Sequence, residues 1–180
     1  MKNGNYDAVV VGGGLAGLVA AIEAAKRGLG VLLVCKSRAG KSGNTLVSGA
    51  ALSVLNTGAK SGDSPALLER DILASGCGMN DPRLCRTFAK ESASAVDMLK
   101  EYGVAFKEAG GIPMVKQPPG HSVPRMFPSE FREYPYMNRG LALTLPLVER
   151  AEELGVVIRN DTAALRILTR ENTVCGLLAW

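Results

Sequence analysis

The chain has one histidine and four cysteines among its 180 residues, and each scarcity removes a class of chemistry. A lone imidazole, His121, cannot furnish the histidine set of a zinc or di-metal centre, so no metal site is expected. Cys35, Cys77, Cys85 and Cys175 lie far apart, without a Cys-x-x-Cys pair. That spacing argues against a disulfide framework and for reduced, mainly buried thiols of a cytoplasmic protein. No apolar run approaches the roughly 20 residues that span a bilayer, and the first residues lack the basic region, apolar stretch and cleavage site of a signal peptide. Aromatic residues make up only 5% of the chain, and the formal net charge of +4 comes from scattered lysines and arginines with no basic run. Nucleic acid is therefore not an expected partner, and an anionic ligand is weakly favoured. There is no internal repeat, low-complexity tract or linker.

With 47% hydrophobic and 21% charged residues, the chain is long enough for one packed core and too short for two ordinary domains. Residues 1–180 are accordingly expected to form a single domain of the α/β class.

The richest segment is Tyr6 to Ala21. An apolar strand, Ala8 to Val11, runs into a Gly-x-Gly-x-x-Gly turn at Gly12, Gly14 and Gly17, and helix formers follow from Leu15 to Lys26. Gly28 reads as the helix stop and Val31 to Val34 as a second strand. In such a cradle the first glycine permits the tight turn, the second lets backbone approach a pyrophosphate, and the third lets the helix lie close on the strand. The helix N-terminus then offers free N–H groups to the phosphates. An acidic residue that would hold a ribose hydroxyl is expected at the end of the second strand, where this chain has Cys35. A thiol is a poor acceptor. Either neighbours such as Ser37 hold the ribose, or the pocket takes a 2′-phosphate. Lys36, Arg38 and Lys41 would suit NADP, or they are a solvated basic loop.

Beyond the cradle, residues 36–60 read as a long loop with a short strand at Leu52 to Leu55, and long loops of this kind usually serve function. Asp63 is expected to cap a helix reaching about Ser75, and Asp81 another from Pro82 to Tyr102, whose Leu84, Phe88, Ala95, Met98 and Leu99 recur at helical spacing as core. Val104 to Phe106 should be extended. Residues 110–139 hold His121, Arg125, Arg132 and Arg139 among most of the prolines and should be ordered irregular structure beside a site. A helix from Gly140 to Leu154 contains Pro146, which bends it unless the helix starts near there. A strand at Val156 to Arg159 and a hairpin of Ala163 to Thr169 with Thr173 to Leu178 complete the expected elements. The parallel sheet should join the strands near 6–11, 31–35 and 156–159, with the cradle at their C-terminal edge.

Five stretches together resemble a known family: Val10 to Ala21, Val31 to Lys36, Ser42-Gly-Asn-Thr45, Gly120-His-Ser-Val-Pro-Arg125 and Arg139-Gly-Leu-Ala-Leu143. They are similar, in family order, to the flavoprotein subunits of succinate dehydrogenase and fumarate reductase, whose superfamily includes L-aspartate oxidase and adenylylsulfate reductase. The resemblance implies a Rossmann-like FAD-binding domain with a central parallel sheet, long irregular loops and a C-terminal hairpin. It implies that Gly12, Gly14 and Gly17, with Leu15 and Ala16 between them, face the FAD pyrophosphate. Cys35, Lys36 and Ser37 lie by the adenosine, and Ser42, Gly43, Asn44 and Thr45 run toward the isoalloxazine, with Gly49 following. Membrane-bound members attach FAD through a histidine at about the place of Asn44, so FAD is expected to be noncovalent here. Where members often carry Gly-Gly, this chain has Gly49-Ala50-Ala51.

By the same resemblance the chain would move hydride between FAD and a small carboxylate, with an electron-transfer partner or the remainder of the flavoprotein. Family members carry a separate capping domain, which these residues lack. They therefore read as an incomplete, N-terminal FAD-binding domain with little catalysis of its own, whose apolar end at Val174, Leu177, Leu178 and Trp180 would be covered by self-association or docking. A NADP-binding module and a noncatalytic assembly fragment are the alternative readings. His121 and Arg125 are the candidate catalytic pair. Their spacing on a loop either sets an imidazole and a guanidinium over one carboxylate of a small diacid, or makes a turn cap and an ion pair.

Overall fold

A computed structural model describes residues 4–130 and 140–180. In chain order the elements are β1 (Ala8–Val11), α1 (Leu15–Lys26), β2 (Val31–Val34), α2 (Asn44–Val47), β3 (Ala51–Ser53), α3 (Pro65–Ser75), α4 (Pro82–Glu91) and α5 (Ala95–Glu101). β4 (Glu108–Ala109), β5 (Ile112–Pro113), β6 (Met126–Pro128), α6 (Leu141–Glu153), β7 (Val157–Arg159), β8 (Ala164–Arg170) and β9 (Thr173–Ala179) follow. The described residues fall into two compact units, one of 4–48 with 140–180 and one of 49–130.

In the first unit β2 is the central strand of a parallel sheet ordered β1-β2-β7, with Ala8 opposite Val31 and Leu32 opposite Val157. The three expected strands are thus the observed ones. Parallel neighbours need a crossover, and α1 supplies it between β1 and β2. Leu18, Ala21 and Ile22, at i, i+3 and i+4, turn inward from α1, while Leu147 and Ala151 do so from α6; all five are fully buried. Each large side chain among them contributes about 1.5–3 kcal/mol. α6 runs through Pro146 without ending there. The Thr144 hydroxyl donates to the carbonyls of Gly40 at 2.6 Å and Gly140 at 3.2 Å, tying the helix to the first loop. The hairpin of β8 and β9 turns at Glu171 and Asn172, with φ of 48° and 63°. Two successive left-handed residues make the turn whose twist matches the flanking strands. On this hairpin Trp180 is 88% exposed and Val174 67%.

In the second unit three sequence expectations are corrected. The cap of α3 is Ser64, whose hydroxyl accepts from the Leu67 amide at 3.2 Å, and Asp63 is used elsewhere. The long helix after Asp81 is interrupted: α4 stops at Glu91, a 3-10 turn covers Ser92–Ser94, and α5 resumes at Ala95. The Ser92 hydroxyl accepts from the Leu55 amide at 3.1 Å, a bond across 37 positions that ties this turn to the chain after β3. The buried stripe runs through Cys85, Ala89, Ser92, Val96 and Leu99, so of the expected core positions Leu99 is buried and Ala95 and Met98 are half-buried. Leu84 and Phe88, expected in the core, are 69% and 42% exposed because the small Cys85 and Ala89 take the inward positions. Val104 and Phe106 are buried, and Phe106 bridges Ser129. The strand expected at 52–55 is β3, which pairs antiparallel with β6, Leu52 opposite Phe127.

The thiols are all free, with Cys35 and Cys85 buried but Cys77 and Cys175 exposed, so half of them depart from the expected burial. No helix among the described residues is long and apolar enough to cross a membrane.

Gly140 is where α6 meets α2. A Cβ there would overlap the Thr45 carbonyl oxygen and lie 2.6 Å from Leu46 Cα, against backbone that cannot swing aside. Gly140→Ala should therefore lower stability by about 1–3 kcal/mol, read as a reduced urea midpoint with an unchanged slope. An unchanged midpoint would contradict this close approach.

Candidate functional site

The first unit places the glycine turn directly after β1, at the C-terminal edge of the sheet. Gly12 has φ of +103°, open to glycine and strained for other residues, and its amide donates to Val34 at 2.8 Å. Gly17 is the crossing point of turn and helix: a Cβ on it would overlap the Gly12 carbonyl oxygen. α1 has no acidic residue in its first turn and no side-chain cap on Gly14. Among the described residues the Leu15 amide is met by the Thr45 hydroxyl at 3.2 Å, whereas the Ala16 and Gly17 amides meet no protein acceptor. Two unpaired donors at the positive end of a 12-residue helix form an anion seat. A Cβ on Gly14 would stand 3.3 Å from Thr45 Oγ1, so the cradle is closed on that side by the loop carrying Ser42, Gly43 and Asn44. Gly43 and Asn44 are exposed and Ser42 half-buried. The residues present fit a dinucleotide pyrophosphate.

Cys35 is placed differently from expectation. Its side chain is 2% exposed and turned inward, where a Cβ on Gly13 would meet Sγ at 2.6 Å. Burial pushes its thiol pKa up, so it stays protonated. Its amide donates to Arg159 and its carbonyl accepts from Thr162, each at 2.8 Å. Cys35 is spent on the fold, and the exposed residues at this strand end are Lys36 and Ser37. Gly49 is exposed and belongs to the second unit. Arg132 and Arg139 lie outside the described residues.

The second unit brings His121 and Arg125 together and then closes them in. Arg125 is fully buried, with Nη2 donating to Asp63 Oδ1 at 2.7 Å and Nη1 to Asp71 Oδ2 at 3.0 Å. Asp63 Oδ2 also accepts from the Asn56 amide at 3.0 Å. Asp71 accepts from both the amide and the hydroxyl of Ser122, at 2.8 and 2.7 Å. Burial raises the Asp71 pKa, but the two Ser122 bonds and the charges of Arg125 and Arg70 outweigh it, and the net shift is downward. Arg125 is therefore not free to hold a substrate carboxylate; of the two readings of its spacing, the ion pair is the one realised. Sequence reasoning missed Asp63 and Asp71 as its partners. The only signal was that a buried guanidinium needs carboxylates, which does not say which ones. Among the described residues no group of three or more His, Cys, Asp and Glu is placed to hold a metal ion.

Removing Arg125 should strand two buried carboxylates. Arg125→Met is expected to cost about 3–5 kcal/mol, measured by urea unfolding at neutral pH. The depressed Asp71 pKa gives a stabilisation that is present above the unfolded-state value and lost as pH falls through the folded one. Parent stability should fall in acid below the ordinary aspartate range, and Asp71→Asn should flatten that part of the profile. An equally steep acid limb in the variant would show that Asp71 is not the group titrating.

Residues 7–180 match the model of the FAD binding domain family. Over 160 residues the chain is 29% identical to the acrylate reductase flavoprotein subunit of Shewanella woodyi, covering 86% of this chain and 29% of that one. It is 34% identical over 176 residues to the fumarate reductase (cytochrome) of Shewanella frigidimarina, covering 96% of this chain and 29% of the relative. Among solved structures, 3-ketosteroid-delta4-(5alpha)-dehydrogenase from Rhodococcus jostii superposes with a TM-score of 0.79 at 26% identity, over 97% of this chain and 42% of the other. The chain thus spans well under half the length of each protein it resembles here. Its extent, its strand-turn-helix cradle and its relatives agree that the chain belongs to the FAD-binding domain family, among flavoproteins of the fumarate reductase and succinate dehydrogenase type.

Proposed function

We propose that this chain forms the FAD-holding part of an oxidoreductase that transfers hydride between a noncovalently bound flavin and a small carboxylate substrate. The observation that carries the reading is the pair of unpaired amides, Ala16 and Gly17, at the mouth of a cradle in which each fingerprint glycine meets a steric or conformational demand. FAD supplies the hydride chemistry when bound. The chain's own part is to hold it: the amides of α1 take the pyrophosphate, Lys36 and Ser37 flank the adenosine, and Ser42 to Thr45 line the path onward. Asn44 offers an amide where covalent members have an imidazole, and an amide does not form that flavin bond. The single histidine of the chain, His121, lies in the other unit. Electrons would come from a partner subunit or from further parts of the same flavoprotein, and exposed Val174, Leu178 and Trp180 provide an apolar surface for such an association or for self-association.

Two measurements test the reading. Gly14→Val should abolish flavin retention, because the side chain enters the space between the turn and Thr45 where a pyrophosphate must approach. Flavin absorbance equal to that of the parent would contradict the cradle. Acid or heat denaturation of the loaded protein should release all flavin to the supernatant, whereas a yellow pellet would refute noncovalent attachment.

A further inference from the structure

His121 is the only histidine in the chain, and its ring is held from one side. Arg125 Nη1 lies 3.1 Å from His121 Nδ1. A guanidinium has donors and no acceptor, so the bond requires Nδ1 to be the acceptor, and the ring proton must then reside on Nε2. The arginine cannot turn away, because Asp63 accepts from its Nη2, Asp71 accepts from its Nη1, and it is wholly buried. The loop is fixed as well: Gln117 Nε2 donates to the His121 carbonyl at 2.6 Å, and Ser122 is bonded twice to Asp71. Among the described residues Nε2 has no protein partner. The ring borders a shallow, open apolar depression lined by Ser53, Ile72, Leu84, Cys85 and Phe88.

We propose that Arg125 is a positioning residue that fixes His121 as the neutral Nε2–H tautomer, and that His121 thereby offers one N–H donor to an uncharged carbonyl oxygen on an apolar ligand. The charge balance selects against a carboxylate there. Asp63 and Asp71 are met by Arg125 and, at 3.7 Å from Asp71, by Arg70, so the cluster is neutral overall and offers no net positive charge to draw a carboxylate to the edge of an apolar depression. The groups that face the ring are Arg125 beside β6, Asp63 before α3, Asp71 on α3 and Cys85 on α4. Burial and Arg125 lower the imidazole pKa, Asp71 and Asp63 oppose them, and the net shift is downward, which keeps the ring uncharged at neutral pH. This inference does not depend on flavin binding, because every residue in it belongs to the second unit.

Nitrogen-15 spectra of the labelled chain contain one histidine spin system, which decides the tautomer without assignment by mutation. At pH 7 one protonated Nε2 and one bare Nδ1 are expected, persisting below the ordinary imidazole pKa. An imidazolium, or a proton on Nδ1, overturns the proposal. In Arg125→Lys the single tautomer should give way to a mixture, and a spectrum identical to the parent's would remove Arg125 from the role. If that variant does not fold, the parent spectrum still decides the tautomer. Cyclohexanone should shift the Nε2 resonance more than acetate at equal concentration. A larger acetate shift, or no shift with either, overturns the ligand class.

Discussion

A helix can rest against the turn that leads into it only where the two backbones touch without a side chain between them. Gly17 is that point, and most of the first unit follows from it. The close crossing sets α1 at the end of β1 with its first amides turned outward, and it places Gly13 against Cys35 and Ala39 beneath the turn. Because β2 is bonded to β1 on one side and to β7 on the other, the position of the turn is carried into the whole sheet. The Thr45 hydroxyl on the Leu15 amide and the Asn160 side chain on the Ala39 amide then secure the loops that rise on either side. A binding surface made of backbone donors needs such a frame, since amides cannot be aimed except by fixing the chain that bears them.

The second unit is organised by a different device. Its elements are short, its strands pair only in twos, and a buried arginine gathers them. Arg125 follows Pro124 just before β6, Asp63 precedes α3 and Asp71 lies within it, so two ion pairs tie three separate stretches of chain at one point. Such a group is poor value as simple stabilisation, since well-packed apolar side chains of the same volume often serve as well. Its directional bonds do what apolar contacts do not: they orient the neighbouring imidazole and dictate which of its nitrogens accepts. Of the two readings of Arg125, over a ligand carboxylate or in an ion pair, the second is realised, and the guanidinium reaches outward only through the imidazole it holds.

How much of this was legible in the sequence follows from how local each cause is. The strand, glycine turn and helix of the cradle were readable because each depends on residues within one turn of each other. The Glu171-Asn172 reversal was readable for the same reason. The failures came where neighbours distant in sequence decide. Leu84 and Phe88 carry the apolar signal of α4, yet Cys85 and Ala89 face inward, because small side chains admit close packing of α3 that large ones would block. Asp63 has the composition of a helix cap, but Arg125, 62 positions away, claims its carboxylate and leaves the cap to Ser64. Chain-distant ion pairs leave no periodic trace, so the partners of Arg125 could not be read in advance.

Cys35 joins these two lessons. The place at the end of β2 where an acidic side chain would reach a ribose is filled by a small thiol that faces the other way, under Gly13. A longer side chain directed inward there would displace the turn, and an acidic one would bury a charge with both neighbouring backbone groups already engaged by Arg159 and Thr162. The packing that holds the cradle and the side chain that would read a ribose therefore compete for one position, and in this chain packing has it. Any selection among adenosine ligands by side chains at this strand end must be made by the exposed residues that follow, with Lys36 and Arg38 contributing positive charge and Ser37 a hydroxyl.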